Sequence, residues 1–290
     1  MKLLDRIAKG SATLTQREKA LADYLIANYP HGALESATDI ARKVGISAST
    51  VVRYFAKLGY PSFADVQREA RTEISSKLSS PVQRVGITLG QDQSLQHVVD
   101  NAFLLDKENL NATREGLDMA EMEAFVRRLT RGNGRILVVG EKNSYPVAHY
   151  LHTHLNMCLP NVQMLDTRQS MLADSMMWVR QTDTLLAVTI RRYSRAVVQA
   201  ARYFRHIGAP VLAVTDSPLS PIAALSDHRM LIRTASASPF DSYTAAFGLS
   251  NALISAVALS RKKEMGALLR RGDAIWKMFD TFIEQGPLNE

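Results

Sequence analysis

Apolar residues recur three and four positions apart in two neighbouring stretches near the start of the chain, 38–44 and 48–58. This is the spacing of amphipathic helices with one buried face. Gly45, between the stretches, can adopt the positive φ that ends a helix, and Ser47 can cap the next helix by accepting a backbone N–H. The pattern predicts a helix-turn-helix whose packed stripes are Ile40, Ala41 and Val44 and then Val51, Val52, Phe55 and Leu58.

Further helices are predicted on either side of this motif. Residues 15–28 begin with a capping box, Thr15 and Glu18, and continue with apolar residues at helical spacing. Another helix should run from 62 to about 77, with Phe63, Val66 and Ala70 as its inner face. The start of the chain is therefore expected to be all-helical.

A composition change marks the end of this helical region. Residues 79–94 are rich in Ser, Pro and Gly and show no sustained period, which is typical of a linker. We therefore predict an N-terminal domain at 1–78, a linker at 79–94 and a second domain at 95–290.

The second domain is predicted to alternate strands and helices after two opening helices, 95–116 and 119–131. Short apolar strands are expected at 135–140, 162–165, 184–189, 211–215 and 230–232, with helices such as 145–157, 194–207 and 247–260 between or after them. Such alternation predicts a parallel sheet with helices on both faces. A last helix, 262–282, should carry Trp276, Phe279 and Phe282 on one face.

The polar face of the second helix in the helix-turn-helix carries the candidate chemistry. Short hydroxyl side chains lie at its start and cations lie further along, as in a helix that enters the DNA major groove by its N-terminus. We assign Ser49, Thr50 and Arg53 to base edges and expect flanking cations to contact phosphates. The predicted DNA-binding residues are Ser47, Ser49, Thr50, Arg53 and Lys57. The alternative is an ordinary helix pair with a solvated polar face.

Charge and composition agree with a DNA-binding head. The net charge is +7, and residues 1–80 hold 12 Lys and Arg against 8 Asp and Glu. A single cysteine, Cys158, excludes an intramolecular disulfide and a zinc knuckle. Charges near the N-terminus exclude a signal peptide, and no apolar run reaches the roughly 18 residues of a membrane span. We expect a cytoplasmic protein with no membrane contact.

Ligands of parallel α/β sheets bind beyond the carboxyl ends of the strands, where helix N-termini face the crevice. After the first strand, Lys142 and Ser144 precede a helix and could hold an anion. After the third strand, Arg191, Arg192 and Arg195 surround a helix start, where added cations are unfavourable unless an anion lies between them. The alternative is that one or both of the first two arginines pair with acidic residues across a subunit interface.

The strand 184–189, the helix ending at 208–209, and the stretch 211–223 followed by Asp227 closely resemble a SIS domain, the sugar-isomerase module that binds phosphosugars. The resemblance spans roughly 125–260. It implies an α/β fold with a parallel sheet and a phosphosugar-type ligand.

The head is similar to that of the RpiR/MurR regulators, through Ile46 to Tyr54 and Lys57 to Tyr60. These regulators join such a head to a SIS domain, in this order. The resemblance implies a sequence-specific transcriptional regulator whose SIS domain senses a small anionic metabolite, a phosphosugar or a sugar acid. We expect a homodimer or homotetramer that reads a pseudo-palindromic operator in double-stranded DNA, with no cofactor, no metal and no catalytic residue.

One loop departs from the family pattern. The SIS loop after the third strand usually runs Ser-x-Ser-Gly-x-Thr, whose hydroxyls and glycine amide hold the phosphate. Thr189 aligns with the first Ser, Arg191 with the second, Arg192 with the Gly and Ser194 with the Thr. Two hydroxyls remain, and the centre becomes a cationic pair that could hold an acid. The predicted effector-binding residues are Lys142, Ser144, Thr189, Arg191, Arg192 and Ser194.

Two other functions remain open at this point. SIS domains also occur in phosphosugar isomerases and lyases, which need a carboxylate or a His for proton transfer. The candidates for that role are Glu141, His149, His152, His154 and Asp241, although the three His straddle more than one helix face and lack the i, i+4 spacing of a metal site. The other alternative is a head that mediates only protein contacts, which would leave Arg53 and Lys57 without a role.

Overall fold

The computed structural model describes residues 3–10, 14–29, 31–77, 80–88 and 94–283. The chain divides into two compact units, 1–102 with 235–240 and 103–234 with 241–290. Residues 78–79 and 89–93, which hold the predicted domain boundary and part of the predicted linker, lie outside the described residues. The domain limits therefore stay a prediction.

The first unit is helical, as predicted. Its helices are α1 (Leu3–Gly10), α2 (Gln16–Asn28), α3 (Ala37–Val44), α4 (Ala48–Lys57), α5 (Phe63–Lys77) and α6 (Pro81–Thr88), with a 3₁₀ turn at His31–Leu34. The capping box of α2 is present, with Thr15 accepting from the Glu18 amide and Glu18 accepting from the Thr15 amide. Helix α6 lies inside the predicted linker. Proline does not prevent this helix, because Pro81 occupies the first helical position, where the amide that proline lacks would have no helical partner.

In the core of the helical head, the four helices α2, α3, α4 and α5 pack together around one aromatic residue. Phe55 of α4 is fully buried, together with Leu21 of α2, Ile40 of α3 and Val66 of α5. These are the apolar positions that the helical spacing placed inside. The core therefore holds the two helices of the predicted helix-turn-helix against a helical support.

The end of α4 is held by a residue from the first helix. Arg6 donates from Nη1 to the carbonyl oxygens of Leu58 at 2.9 Å and Gly59 at 3.1 Å. Its guanidinium also lies 4.4 Å from the centre of the Tyr60 ring. A carbonyl at a helix C-terminus has no helical partner, so these contacts satisfy it and hold the orientation of α4.

The second unit is built on a five-stranded parallel sheet in the order β2-β1-β3-β4-β5. The strands are β1 (Ile136–Gly140), β2 (Val162–Met164), β3 (Thr184–Val188), β4 (Val211–Thr215) and β5 (His228–Leu231). Helix α7 (Leu95–Glu115) begins in the first unit and continues into the second. The remaining helices are α8 (Met119–Arg131), α9 (Tyr145–Cys158), α10 (Gln169–Met176), α11 (Arg195–His206), α12 (Thr244–Ser260) and α13 (Lys262–Met278). All five predicted strands are confirmed, with ends that differ by no more than two residues.

Helices cover both faces of the sheet, as predicted. Alternate strand residues point to opposite faces, so Val138 packs with α8, α9 and α12 while its neighbour Val139 packs with α10 and α11. Both residues are fully buried. Near-continuous apolar strands are what a sheet buried on both faces requires.

The last helix is shorter than predicted. Helix α13 ends at Met278, before Asp280, which adopts a left-handed conformation with φ 48°. The rings of Trp276 and Phe282 nevertheless meet edge to face, with centroids 5.7 Å apart. Across the described ranges, no helix combines the length and apolar character needed to cross a membrane.

The strand order creates a crevice between β1 and β3. The chain proceeds from β1 outward to β2 and then returns to β3 on the other side, so the loops after β1 and β3 diverge from adjacent strands. Such a switch point is where open parallel sheets bind ligands. We define the crevice loops as 140–144, after β1, and 189–194, after β3.

Candidate functional site

The turn of the helix-turn-helix has the predicted geometry. Gly45 has φ 74° and ends α3, while Ser47 caps α4 by accepting the Thr50 amide at 3.2 Å. The Ser47 hydroxyl also hydrogen-bonds with the hydroxyls of Ser49 at 2.9 Å and Thr50 at 2.8 Å. Three hydroxyls therefore cluster at the N-terminus of α4, where unsatisfied amides favour negatively charged groups.

The exposed face of α4 contains one apolar residue that the helical spacing had predicted to be buried. Val52 is 44% exposed, whereas Val51 is fully buried, so the inclusion of Val52 in the packed stripe was wrong. At about 100° per residue, Val52 lies equally far around the helix from Ser49 and from Phe55, so helical spacing alone does not assign it to a face. Its exposure places it on the solvent side with Ser49 and Arg53. Because valine can contact a thymine methyl group, this position adds a candidate for base recognition. We call Ser49, Val52, Arg53 and Ala56 the outward face of α4.

Lys57 lies at the edge of the outward face and is engaged within the head. Its ammonium group is 3.1 Å from Glu18 Oε2, with the two side chains 42% and 16% exposed. Hydrogen bonds from the Thr15 amide and from Lys57 hold the pKa of Glu18 below its ordinary value. The assignment of Lys57 to a DNA phosphate stays a prediction, and the structure gives Lys57 the additional task of joining α2 to α4.

The loop after β1 approaches its helix closely. A Cβ at Gly140 would lie 2.7 Å from the Ala148 Cβ and 2.8 Å from the Ser144 carbonyl oxygen, so only glycine fits there. Ser144 is buried; its hydroxyl accepts the Ile190 amide at 3.3 Å and hydrogen-bonds with Tyr243. Ser144 therefore joins the two crevice loops, while Lys142 is exposed on the same loop.

The loop after β3 brings its two hydroxyl residues together at the start of α11. Thr189 accepts the Ser194 amide at 3.3 Å, and Ser194 caps α11 by accepting the Val197 amide at 3.4 Å. The Ser194 hydroxyl donates to the carboxylate of Glu141, from the loop after β1. Glu141 was predicted only as a candidate for proton transfer, and no sequence pattern placed it beside Ser194.

Arg191 forms an ion pair inside its own chain. Its guanidinium pairs with Asp241, and the two side chains are 13% and 8% exposed. The Arg191 amide donates to Asp216 Oδ1 at 3.2 Å, and Tyr193 also hydrogen-bonds with Asp216. Burial raises the pKa of Asp216 against the opposing effects of these partners. From the sequence, an acidic partner for Arg191 was expected only across a subunit interface.

Arg192 is exposed and adopts the left-handed conformation, with φ 64°. This is the position that aligns with glycine in the SIS loop pattern, so the backbone retains a shape that glycine accepts without strain. A non-glycine residue in this region costs about 1–2 kcal/mol.

We therefore predict that Arg192→Gly raises the free energy of unfolding of the second unit by about 0.5–1 kcal/mol, because released strain exceeds the entropy that glycine adds to the unfolded chain. Urea unfolding followed by tryptophan fluorescence measures this, since Trp178 and Trp276 both lie in the second unit. Arg192→Ala is the matched control, because it removes the same charge and keeps the strain. Equal stabilisation by both variants would contradict the prediction.

The candidate histidines for proton transfer contact aromatic rings on α9, whereas the candidate carboxylates contact the loop after β3. His149 stacks on Tyr145 and His152, with ring centroids 5.6 Å and 6.1 Å apart, whereas His154 lies over Tyr150 at 4.2 Å. Burial lowers the pKa of His152, and His149 adds to this effect. Glu141 and Asp241 contact Ser194 and Arg191 instead.

Family comparisons agree with both units. The model described as "Helix-turn-helix domain, rpiR family" matches residues 1–77, and the SIS domain model matches residues 129–256. An uncharacterized HTH-type transcriptional regulator of Clostridium perfringens is 20% identical over 238 residues, 81% of this chain and 83% of that protein. The two models together span most of the chain.

Two solved structures of similar fold are an RpiR transcription factor domain and the NanR protein. The sugar isomerase domain of an RpiR transcription factor from Sphaerobacter thermophilus is 29% identical, with a TM-score of 0.59, and covers 61% of this chain and 98% of that one. The Vibrio vulnificus NanR protein complexed with ManNAc-6P is 20% identical, with a TM-score of 0.57, and covers 96% of this chain and 99% of that one. With the two domains in this order, the chain belongs to the RpiR family of helix-turn-helix transcriptional regulators with a SIS domain.

Proposed function

We propose that the protein binds a specific DNA operator through the outward face of α4 and that a small anionic metabolite in the crevice of the SIS domain changes this binding. The observation that carries the proposal is the capped N-terminus of α4, from which Ser49, Val52 and Arg53 project on one exposed face. This arrangement matches a recognition helix, whose first residues reach base edges in the major groove. We place the protein in the cytoplasm, where its DNA target lies.

The proposed assembly is a homodimer or a homotetramer that reads a pseudo-palindrome. Two-fold related heads contact half-sites about one DNA turn, or a multiple of it, apart. Selection of bound duplexes from a random pool identifies the operator, and gel-shift titration then measures the affinity. One base pair inserted between the half-sites should weaken binding, because it rotates one half-site by about 35° relative to the other. Equal binding of selected and random duplexes would contradict the proposal.

A second prediction concerns Val52. Replacement by alanine should reduce the preference for thymine at one operator position, since the contact with its methyl group is lost, with a several-fold loss of affinity. The measurement compares operators that carry thymine or uracil at that position, because uracil lacks only the methyl group. The wild type should discriminate between them and Val52→Ala should not. Discrimination that persists in the variant would remove Val52 from the base-reading set.

The crevice between β1 and β3 is the proposed effector site. The effector-binding set of Lys142, Ser144, Thr189, Arg191, Arg192 and Ser194 lies on its two loops, and the proposal gains support from the ManNAc-6P complex of NanR. An effector shifts DNA binding only if it prefers one arrangement of the heads over the other.

Thermal unfolding against a panel of phosphosugars, sugar acids, other small acids and neutral sugars tests this site, because a ligand of the folded state stabilises it by mass action. The double variant Arg191→Ala, Arg192→Ala should lose the shift produced by an acidic ligand. An unchanged effector response in that variant would exclude the arginines from the site.

We propose further that the protein binds its effector without converting it. Glu141 and Asp241, the two carboxylates considered for proton transfer, are engaged by Ser194 and by Arg191. Incubation with the phosphosugar that gives the largest thermal shift, followed by analysis of the products, tests this directly. Turnover would favour the alternative function, a phosphosugar isomerase or lyase.

A further inference from the structure

The strand register explains how Glu141 reaches the start of a helix that follows a different strand. Gly140, the last residue of β1, pairs with Val188, the last residue of β3. The next residues of both strands therefore leave the sheet side by side, and Glu141 enters the crevice opposite the loop 189–194. The Ser194 hydroxyl donates to its carboxylate.

This contact places a negative charge of the chain at the N-terminus of α11. The first amides of a helix and its capping hydroxyl form a favourable environment for an anion. Here the Ser194 hydroxyl, which already accepts the Val197 amide, directs its own proton to Glu141. Any anionic group of a ligand bound at Ser194 would lie within a few ångströms of this carboxylate and be repelled by it.

The other polar groups of the same loop are also matched within the chain. Thr189 accepts the Ser194 amide, and Arg191 pairs with Asp241 while its amide donates to Asp216. The crevice thus contains three carboxylates, Glu141, Asp216 and Asp241, along the loop that aligns with the SIS phosphate loop. The crevice loops also carry two exposed cations, Lys142 and Arg192.

We infer that Glu141 is a specificity-determining residue: it discriminates against a phosphate at Ser194 and accepts a hydroxyl or ammonium group of the effector there instead. The acidic group of the effector is then held by Lys142 and Arg192. This inference rests on the proposed effector site and narrows its ligand to an acid that carries a hydrogen-bond donor at the opposite end. Inorganic phosphate is a simple probe of the discrimination against an anion at Ser194. Glucosamine is a simple probe of the acceptance of an ammonium or hydroxyl group there.

The test compares the full-length wild type with Glu141→Gln, which keeps the size of the side chain and a hydrogen bond to Ser194. Thermal shifts are measured with inorganic phosphate, glucose 6-phosphate and glucosamine. We expect phosphate and glucose 6-phosphate to bind at least tenfold more tightly to Glu141→Gln than to the wild type, and glucosamine to bind at least threefold more weakly. Glu123→Gln is the matched control, because it removes an exposed carboxylate of α8 and should leave all three affinities unchanged.

A second variant tests whether the phosphate binding gained by Glu141→Gln occurs at Ser194. Adding Ser194→Ala to Glu141→Gln should abolish the gained phosphate binding, with a native circular dichroism spectrum showing that the double variant is folded. Phosphate affinity that is equal in the wild type and Glu141→Gln, whether strong or undetectable, would overturn the inference. Operator binding by the same preparations is measured separately. A loss of operator binding would contradict the proposed regulator but would not change the comparison of phosphate affinities.

Discussion

Replacing Arg53 with alanine is expected to weaken operator binding by about 1–3 kcal/mol, roughly 5- to 150-fold in the dissociation constant, and to relax selection at one base pair. Arg53 is exposed on the outward face, and within the described part of the chain it forms no ion pair. An arginine at this place can form two hydrogen bonds with guanine in the major groove, which alanine cannot replace.

The measurement is a set of titrations with the selected operator and with random duplex DNA, each at several salt concentrations. The expected loss is larger for the operator than for random DNA, because base contacts are specific and phosphate contacts are not. Arg17→Ala is the matched control: it removes the same charge from an exposed position of α2, outside the outward face of α4. An equal loss for both DNAs, with a salt slope lower by about one, would reassign Arg53 to a phosphate.

Replacing Asp183 with alanine is expected to lower the free energy of unfolding of the SIS unit by about 3 kcal/mol. Asp183 is only 1% exposed and accepts the amides of Arg135 at 2.8 Å and Arg180 at 3.0 Å, together with the Arg135 guanidinium at 2.7 Å. Alanine would leave these donors without their acceptor at the entrance to β1 and β3. Urea unfolding followed by the fluorescence of Trp178 and Trp276 measures the loss.

Asp227 provides the matched control. It accepts the Val211 amide at 2.8 Å at the entrance to β4 and pairs with Arg205, but the side chains of this pair are 36% and 52% exposed. Water can replace part of these contacts, so Asp227→Ala should cost about 1 kcal/mol. Equal losses in the two variants would show that burial does not determine the contribution of Asp183.

The contribution of Asp183 to stability is also expected to depend on pH. Burial alone would raise the pKa of Asp183, but the hydrogen bonds from Arg135 and Arg180 outweigh it and hold the pKa below the ordinary value of 3.8. A group with a lowered pKa stabilises the fold above its unfolded pKa and loses that contribution as the pH falls. The stability difference between the wild type and Asp183→Ala should therefore be constant near neutral pH and shrink below about pH 4. A difference that does not shrink at all as the pH falls below about 4 would point to packing instead of charge.

Local patterns in the sequence were sufficient for the helix-turn-helix. Gly45 and Ser47 act within a few residues of their own position, so their roles in the turn follow from φ preference and capping chemistry alone, and the structure confirms both. Val52 was misplaced because apolar character does not distinguish a buried valine from one that faces outward. Only the rotation of α4 against its neighbours, anchored by Phe55, separates the two.

The sequence by itself determined the two-domain organisation, the five strands and the loops that lie at the carboxyl ends of β1 and β3, because periodicity and strand–helix alternation are properties of short segments. The contacts of Glu141 with Ser194 and of Arg191 with Asp241 join residues 53 and 50 positions apart. Only the tertiary structure decided them, since strand order and register select which loops face each other. The charge that a ligand meets in the crevice depends on those pairings. The negative charge beside Ser194 could therefore not be predicted from residue types alone.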